Sequence, residues 1–379
     1  MCMKTAFFDL KARQEWMEAH GVKPFRVKQI EHEIFRNSVI DFHEMTWLPK
    51  ELRTQLDEEF CIIPFEVDGI YEGKESCKVG FKMSDDTIIE TVLMYHYHNK
   101  DKSKSKGKGE QVLNRLTLCI STQVGCPVGC IFCVTGKLWF GKNLSLPEVL
   151  GQIIWTNHWI KRKFGIKEDG TNWAVRNIVF MGMGEPMLNY EVMKQSIGYM
   201  LDNKLGRGLS RRHVTISTSG IVPGIRRLIE DKINVRLALS LHSPNQPLRE
   251  VLIPTISKVY TLDKLMAAID DYVAATDNRI FYEYIMIKDM TDSVALAHQM
   301  VELLRDRLAH VNLIPYNPNP AMPDLEESER SVILRFRDVL EAGGLTVTTR
   351  DNHGRNEKWA CGQLWYEKVV KGEKIQRIK

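Results

Sequence analysis

The sequence lacks any apolar run of about eighteen residues, the length that a membrane-spanning helix needs. It also lacks a basic stretch followed by an apolar one near Met1, so it shows no secretory signal pattern. Cysteine is sparse, with 8 residues in 379, which argues against a small disulfide-stabilised scaffold. Charge is nearly balanced at +4 and does not by itself indicate a nucleic-acid partner. These absences predict a cytoplasmic globular protein with no membrane partner.

Apolar spacing divides the chain into four predicted segments. Residues 1–66 show helical spacing and predict a small N-terminal helical module. This module would pack against the main domain or, if the substrate is RNA, help to bind it. Residues 67–114 combine a β-hairpin with a Lys/Gly/Ser-rich loop at 100–109. That loop is either a solvated surface or a contact for RNA phosphates. Residues 115–350 predict the main domain, and 351–379 a C-terminal segment.

Strand and helix patterns alternate along the main domain, which predicts an α/β fold with a parallel sheet. The predicted strands are 116–121, 177–181, 213–218, 235–241, 281–287 and 311–316, with a further run at 345–350. The predicted helices are 146–161, 190–203, 224–229, 262–275 and 293–307. Because ligands bind at the C-terminal ends of parallel strands, polar residues there should meet on one rim. The spacing alone leaves an open sheet and a partial barrel as alternatives.

Cys126, Cys130 and Cys133 lie within 8 residues, just after the first predicted strand of the main domain. Closely spaced thiolates are typical ligands of iron–sulfur clusters. A zinc site needs a fourth ligand, and no second cysteine or histidine pair follows nearby. Three thiolates on a four-iron cluster leave one iron open to a substrate. The CxxxCxxC spacing resembles the radical S-adenosylmethionine (SAM) superfamily, in which SAM binds a [4Fe-4S] cluster at the open iron.

Later strand ends carry candidates for a SAM pocket. Gly184 and Glu185 follow the second strand, where glycine allows close backbone approach and a carboxylate can accept hydrogen bonds. They resemble the superfamily's motif for the amino group of SAM. The other candidates, which share a strand-end position, are Ser217, Ser240, Leu241, His242 and Asn317. Each alone is also typical of a strand cap, and together they predict a polar pocket.

Ordered motifs resemble those of the RlmN/Cfr family of radical-SAM RNA methyltransferases, and they lie at 118–126, 180–186, 239–245, 312–317 and 360–364. The resemblance implies a partial (β/α)6 barrel preceded by the helical module and the hairpin extension. It also implies a [4Fe-4S] cluster and two SAM molecules per turnover. The expected reaction is methylation of carbon 2 of an adenosine in 23S rRNA, with tRNA adenosine at position 37 as a second substrate.

The same resemblance implies roles for three further residues. Cys361 resembles the family's methyl carrier, whose S-methyl group loses a hydrogen atom to a SAM-derived radical and then adds to adenine. A radical route is needed because an aromatic amidine carbon has no electron pair with which to attack a methyl donor. Cys119 resembles the thiol that releases the protein–RNA adduct by forming a transient disulfide with Cys361. Glu90 resembles the carboxylate that removes a proton from the substituted ring carbon.

Three alternatives remain open from the sequence. Ser243 favours a carbon-8 methyltransferase of the Cfr antibiotic-resistance type, whereas the motif at 181–186 favours the carbon-2 enzymes. A radical-SAM enzyme acting on a small molecule or a protein is the second alternative. The third is an iron–sulfur RNA-binding or redox-sensing protein, which would not need Cys119 and Cys361. The expected partners are 23S rRNA, tRNA and an electron donor such as flavodoxin or ferredoxin, and we expect a monomer.

Overall fold

The computed structural model of the protein describes residues 4–99, 111–138, 140–165, 174–204, 208–319 and 321–350. Cys361, the predicted C-terminal segment and the Lys-rich loop lie outside the described residues. The strands in chain order are β1 (Thr5–Ala6), β2 (Phe60–Cys61), β3 (Glu66–Glu72), β4 (Ser76–Lys82), β5 (Ile88–Asn99), β6 (Gln111–Cys119), β7 (Gln123–Val124), β8 (Lys142–Asn143), β9 (Asn177–Phe180), β10 (Val214–Thr218), β11 (Arg236–Ser240), β12 (Ile280–Met286), β13 (Ala309–Pro315) and β14 (Thr346–Thr349).

The α-helices in chain order are α1 (Leu10–Ala19), α2 (Pro24–Asn37), α3 (Lys50–Glu59), α4 (Val134–Lys137), α5 (Leu146–Phe164), α6 (Tyr190–Leu201), α7 (Val222–Glu230), α8 (Gln246–Leu252), α9 (Pro254–Val259), α10 (Leu262–Thr276), α11 (Val294–Leu304) and α12 (Arg330–Ala342). Short 3-10 helices span Phe42–Glu44, Pro186–Asn189 and Arg211–His213.

The chain forms two compact units. The first comprises Met1–Ser121, Leu144–Val179 and Glu191–Val214, and the second comprises Thr122–Asn143, Phe180–Tyr190 and Thr215–Lys379. The four-segment organisation expected from the sequence stays a prediction.

Helices α1, α2 and α3 form the predicted helical module within the first unit. Asp9 caps α1 by accepting a hydrogen bond from the backbone N–H of Ala12, and Pro24 begins α2 with a backbone angle suited to a helix. Ile30 and Ile34 recur at helical spacing on the buried face of α2. They share one hydrophobic core with Leu150 of α5. Burial of each such side chain contributes roughly 1.5–3 kcal/mol to folding.

Antiparallel strands build most of the sheet in the first unit. β3, β4, β5 and β6 pair in that order, and β6 also pairs in parallel with β9. The predicted hairpin is β4–β5, in which Gly80 lies opposite Glu90. Gln152 of α5 fixes the end of β6, because its Oε1 accepts hydrogen bonds from the Ser121 N–H at 2.9 Å and from Thr91 Oγ1 at 2.7 Å. These buried bonds hold the helix and the sheet in a fixed register.

The second unit carries a parallel sheet. β10 to β14 pair in chain order, and every one of these pairs is parallel. Leu237, Leu239 and Leu313 are fully buried on one face of this sheet, as expected where parallel strands pack against helices. α7 follows β10, α8 to α10 follow β11, α11 follows β12, and α12 follows β13. The C-terminal ends of these strands lie along one edge, where the sequence predicts the ligand residues.

The predicted alternation of strands and helices in the main domain is confirmed, since each predicted strand and helix overlaps an observed one. Four helices of this region, α4, α8, α9 and α12, were not predicted. With 4, 7 and 6 residues, α4, α8 and α9 are too short for helical periodicity to show in the sequence. The 13-residue helix α12 was missed although its buried residues Ile333, Phe336 and Leu340 recur at helical spacing. In the described part of the chain, no helix combines the length and the apolar character needed to cross a bilayer.

The carboxylate of Glu31 links three helices of the first unit. It accepts hydrogen bonds from Arg13 Nη1 at 2.9 Å and from Tyr199 Oη at 3.0 Å. Replacing Glu31 with Ala removes this acceptor from a largely buried guanidinium, so we expect the free energy of unfolding to fall by about 3 kcal/mol. Urea denaturation followed by tryptophan fluorescence measures the loss. The control Glu15→Ala removes an exposed partner of Lys11 and should cost less than about 0.5 kcal/mol. Equal urea midpoints for Glu31→Ala and Glu15→Ala would contradict the prediction.

Candidate active site

A cavity opens at the C-terminal ends of β10, β11 and β12 in the second unit. Its volume is about 930 Å³, including the part that is open to solvent. The predicted ligand residues that line it are Cys126, Cys130, Cys133, Gly184, Glu185, Ser217, Ser240 and His242. The structure therefore brings the cysteine motif and most of the predicted SAM pocket into one cavity.

The three cysteines lie between β7 and α4. Ile131 anchors their loop, because its backbone N–H donates to the carbonyl of Leu252 in α8 at 3.1 Å. The N–H of Cys133 donates to the carbonyl of Cys130 at 3.2 Å. Burial raises the pKa of Cys126 to about 12 and the pKa of Cys130 well above its usual value. Thiolates at these positions therefore need a positive partner, which a metal centre supplies.

The three cysteines line one cavity and offer it three thiol ligands. Three thiolates suit a [4Fe-4S] cluster, the group that the cysteine spacing predicts.

Glu185 is fixed in the cavity wall by four hydrogen bonds. Its Oε2 accepts from the N–H of Ser219 at 2.7 Å and from Ser219 Oγ at 2.8 Å, and its Oε1 accepts from the N–H of Met187 at 3.1 Å. Its own N–H donates to Gln123 Oε1 at 2.8 Å. Burial raises the pKa of Glu185, and the Ser219 donors oppose this shift. The result is an oriented carboxyl group that can receive a cationic or hydroxyl donor.

His242 presents an N–H donor beside the cysteine loop. Its backbone has a φ of 57°, a left-handed conformation in which histidine is among the better tolerated residues. The N–H of Ile285 donates to His242 Nδ1 at 3.1 Å, so the neutral ring carries its proton on Nε2. Burial, with the charge of Arg249, lowers the pKa of His242 to about 3. The ring also packs edge-on against Phe132, with centroids 4.8 Å apart.

Other predicted residues lie elsewhere. Leu241 and Asn317 are buried in the second unit, but they are not among the residues that line this cavity. Cys119 ends β6 in the first unit, where it pairs with Val92 of β5. Glu90 lies two residues before Val92. Its carboxylate accepts a hydrogen bond from the buried ammonium of Lys78 at 2.8 Å.

Two charged residues in the cavity wall were missed by the sequence analysis. Glu283, within β12, accepts a hydrogen bond from Asn312 Nδ2 at 2.9 Å through Oε1. Its Oε2 lies 3.7 Å from Arg350 Nη1, and Arg350 also approaches the sulfur of Met181 at 3.4 Å. The sequence did mark Glu283, because it is a glutamate inside an otherwise apolar strand and carboxylates are rarely buried without a partner. No comparable pattern in the sequence marked Arg350.

Two family models match the sequence. The model described as Radical SAM superfamily matches residues 120–299. The model described as Ribosomal RNA large subunit methyltransferase N-terminal domain matches residues 7–62. Together with the parallel sheet and the cavity, these matches define a radical-SAM enzyme, the class that uses a [4Fe-4S] cluster and SAM.

Similar proteins extend the match to almost the whole chain. A relative from Enterococcus faecalis, named "Probable dual-specificity RNA methyltransferase RlmN", is 35% identical over 98% of this chain and 99% of its own length. A relative of the same name from Listeria monocytogenes is 36% identical over 96% of this chain and 94% of its own length. The crystal structure of a radical SAM methyltransferase from Sphaerobacter thermophilus matches with a TM-score of 0.84 and 37% identity, covering 96% of this chain and 99% of that one.

The chain therefore belongs to the RlmN family of radical-SAM RNA methyltransferases. The predicted family, the α/β radical-SAM fold and the two cofactors of the class are confirmed. The roles of individual residues stay predictions.

Gly184 fits the cavity wall only without a side chain. Its φ is 97°, and a Cβ would lie 2.5 Å from the Cβ of Gln123. We expect Gly184→Ala to lower the free energy of unfolding by about 2 kcal/mol or more, because it combines a clash with backbone strain. Thermal melting of Gly184→Ala and of a control variant measures this loss of stability. The control is Gly198→Ala in α6, where a Cβ meets nothing within 4 Å and should stabilise the helix by about 0.5–1 kcal/mol. A wild-type melting temperature for Gly184→Ala would refute the argument.

Proposed function

We propose that this protein methylates carbon 2 of an adenosine in 23S rRNA, with adenosine 37 of tRNA as a second substrate. One observation carries the proposal. Three cysteines, Glu185 and His242 line a single cavity in a chain that matches dual-specificity RNA methyltransferases over nearly its full length. In this reading the cytoplasm is the site of action, the enzyme is a monomer, and a flavodoxin or ferredoxin supplies the electrons.

The cavity residues divide into cluster ligands and SAM ligands. Cys126, Cys130 and Cys133 would hold the [4Fe-4S] cluster and leave one iron open. Glu185 would accept hydrogen bonds from the ammonium group of SAM, with Gly184 giving its backbone room to approach. The remaining SAM ligands that we propose are Ser217, Ser240 and His242 in the cavity wall. From the sequence resemblance alone, we add Leu241 and Asn317. When bound, the cluster and SAM supply a radical able to remove a hydrogen atom from a methyl group.

The methyl group travels on a cysteine. We propose that Cys361 takes a methyl group from one SAM molecule and loses one hydrogen atom from it during the use of a second. The resulting carbon radical adds to carbon 2 of adenine and joins protein to RNA. Polar transfer from SAM cannot replace this route, because carbon 2 has no electron pair with which to attack.

Release of the RNA is assigned to Cys119 and Glu90. The radical adduct gives up one electron, the equivalent of the one consumed to cleave SAM, and Glu90 removes the proton from the substituted ring carbon. The thiolate of Cys119 then attacks the sulfur of Cys361, forming an S–S bond while the C–S bond breaks, and the released carbon takes up a proton to become the methyl group. The first unit supports this pairing, since Cys119 lies opposite Val92 and Glu90 is two residues away on the same strand face. Standard strand geometry puts such diagonal neighbours roughly 7–8 Å apart.

Anaerobic incubation of the cluster-loaded enzyme with SAM, a reductant and either 23S rRNA or tRNA tests the proposed product. Mass spectrometry of the digested nucleosides should detect 2-methyladenosine, and Cys361→Ala should give less than about 1% of that product. 8-Methyladenosine would move the chain to the carbon-8 enzymes. Cleavage of SAM without methylated RNA would refute both assignments. Wild-type product formation by Cys361→Ala would refute the carrier role alone.

The release step predicts a trapped adduct. Cys119→Ala keeps the carrier and the base but removes the attacking thiol, so protein and RNA should stay covalently joined. A denaturing gel with labelled RNA should show a slow band that carries at least tenfold more label than the wild-type lane. The matched control is Cys61→Ala, which changes a half-buried cysteine at the edge of the helical module. An adduct in both variants, or in neither, would remove Cys119 from the release step.

A further inference from the structure

Arg249 on α8 is completely buried, which is unusual for a guanidinium. Its hydrogen-bond acceptors are neutral. Nη1 donates to Ser257 Oγ at 2.8 Å, and Nη2 donates to the carbonyl of Ser219. Its Nε is buried without a hydrogen-bond partner. Within the described residues no carboxylate forms an ion pair with it, so the positive charge is left without a compensating anion.

An uncompensated buried charge is costly, and folded proteins normally pair such charges. Burial lowers the pKa of Arg249 to about 10. Arg249 donates to the carbonyl of Ser219, a residue that lines the same cavity as the three cysteines. An anionic cluster held by those cysteines would therefore supply the missing counter-charge.

The packing around α8 supports this coupling. The N–H of Ile131, next to Cys130, donates to the carbonyl of Leu252 at the end of the same helix. Ser219, which accepts from Arg249, also holds the carboxylate of Glu185. Helix α8 is thus attached to the cysteine loop through Leu252 and to the loop that orients Glu185 through Arg249.

A [4Fe-4S] cluster with three thiolates has a net charge of about −1, and about −2 after one-electron reduction. A nearby fixed cation stabilises the reduced form more than the oxidised form, and low local dielectric strengthens the effect.

We propose that Arg249 is a positioning residue that acts as the internal counter-charge of the cluster and raises its reduction potential. The proposal rests on cluster ligation by Cys126, Cys130 and Cys133.

The test is an anaerobic redox titration of the full-length, cluster-loaded protein, followed by electron paramagnetic resonance without RNA. Arg249→Met removes the charge and keeps a long side chain. We expect its ratio of reduced to oxidised cluster to fall at least tenfold at a given solution potential, about 59 mV for a one-electron couple. Arg249→Lys keeps the charge and should stay within threefold of wild type. Ser257→Ala removes one acceptor but no charge, and it should behave like wild type. A wild-type ratio in fully loaded Arg249→Met would overturn the proposal.

Thermal melting of the same variants separates charge from simple packing. Loss of the bonds to Ser219 and Ser257 should lower the melting temperature of Arg249→Met to the same extent with and without the cluster. Loss of a counter-charge should lower it further only when the cluster is bound. An equal decrease in the cluster-free and cluster-loaded proteins would overturn the proposal. A wild-type protein that takes up no cluster would instead refute the cysteine ligation.

Discussion

The carboxylate of Glu185 fixes the arrangement of loops on which the cavity depends. It accepts both the N–H and the hydroxyl of Ser219, and so ties the loop after β9 to the loop after β10. The carbonyl of Ser219 accepts from Arg249 on α8, and the carbonyl of Leu252 on that helix accepts from Ile131 in the cysteine loop. One connected set of hydrogen bonds thus joins three loops. Because its members are buried, losing one leaves another polar group unsatisfied, and the loops keep their relative positions.

The buried surroundings of the cavity disfavour ionised side chains before a cofactor is bound. Burial raises the pKa values of Cys126, Cys130 and Glu185, and it lowers those of His242 and Arg249. Each shift has the direction expected when ionised groups leave water. Thiolates become favourable once metal cations are present, so cluster binding and cysteine deprotonation form one coupled event. The polar wall is therefore suited to an ionic cofactor more than to a neutral ligand.

Local patterns were sufficient to predict the strands of the parallel sheet, most of the longer helices and the cysteine motif, because each depends on spacing within a few residues. They were insufficient wherever side-chain direction decides the outcome. Ser240 lines the cavity whereas its neighbour Leu241 does not, since successive side chains along a strand point to opposite faces. Glu283 lies inside a strand rather than at its end. Arg249 lies on a helix of only 7 residues, and its position follows from tertiary packing that spacing does not encode.

The first unit shows how a sheet can hold reactive groups at a fixed separation without direct contact. The register of β5 and β6 sets the distance between Glu90 and Cys119, and Gln152 secures the end of β6 against α5. A buried carboxylate needs a positive partner, and Lys78 provides one for Glu90 from the neighbouring strand β4. The roles proposed for Glu90 and Cys119 therefore depend on the register of three adjacent strands, β4, β5 and β6.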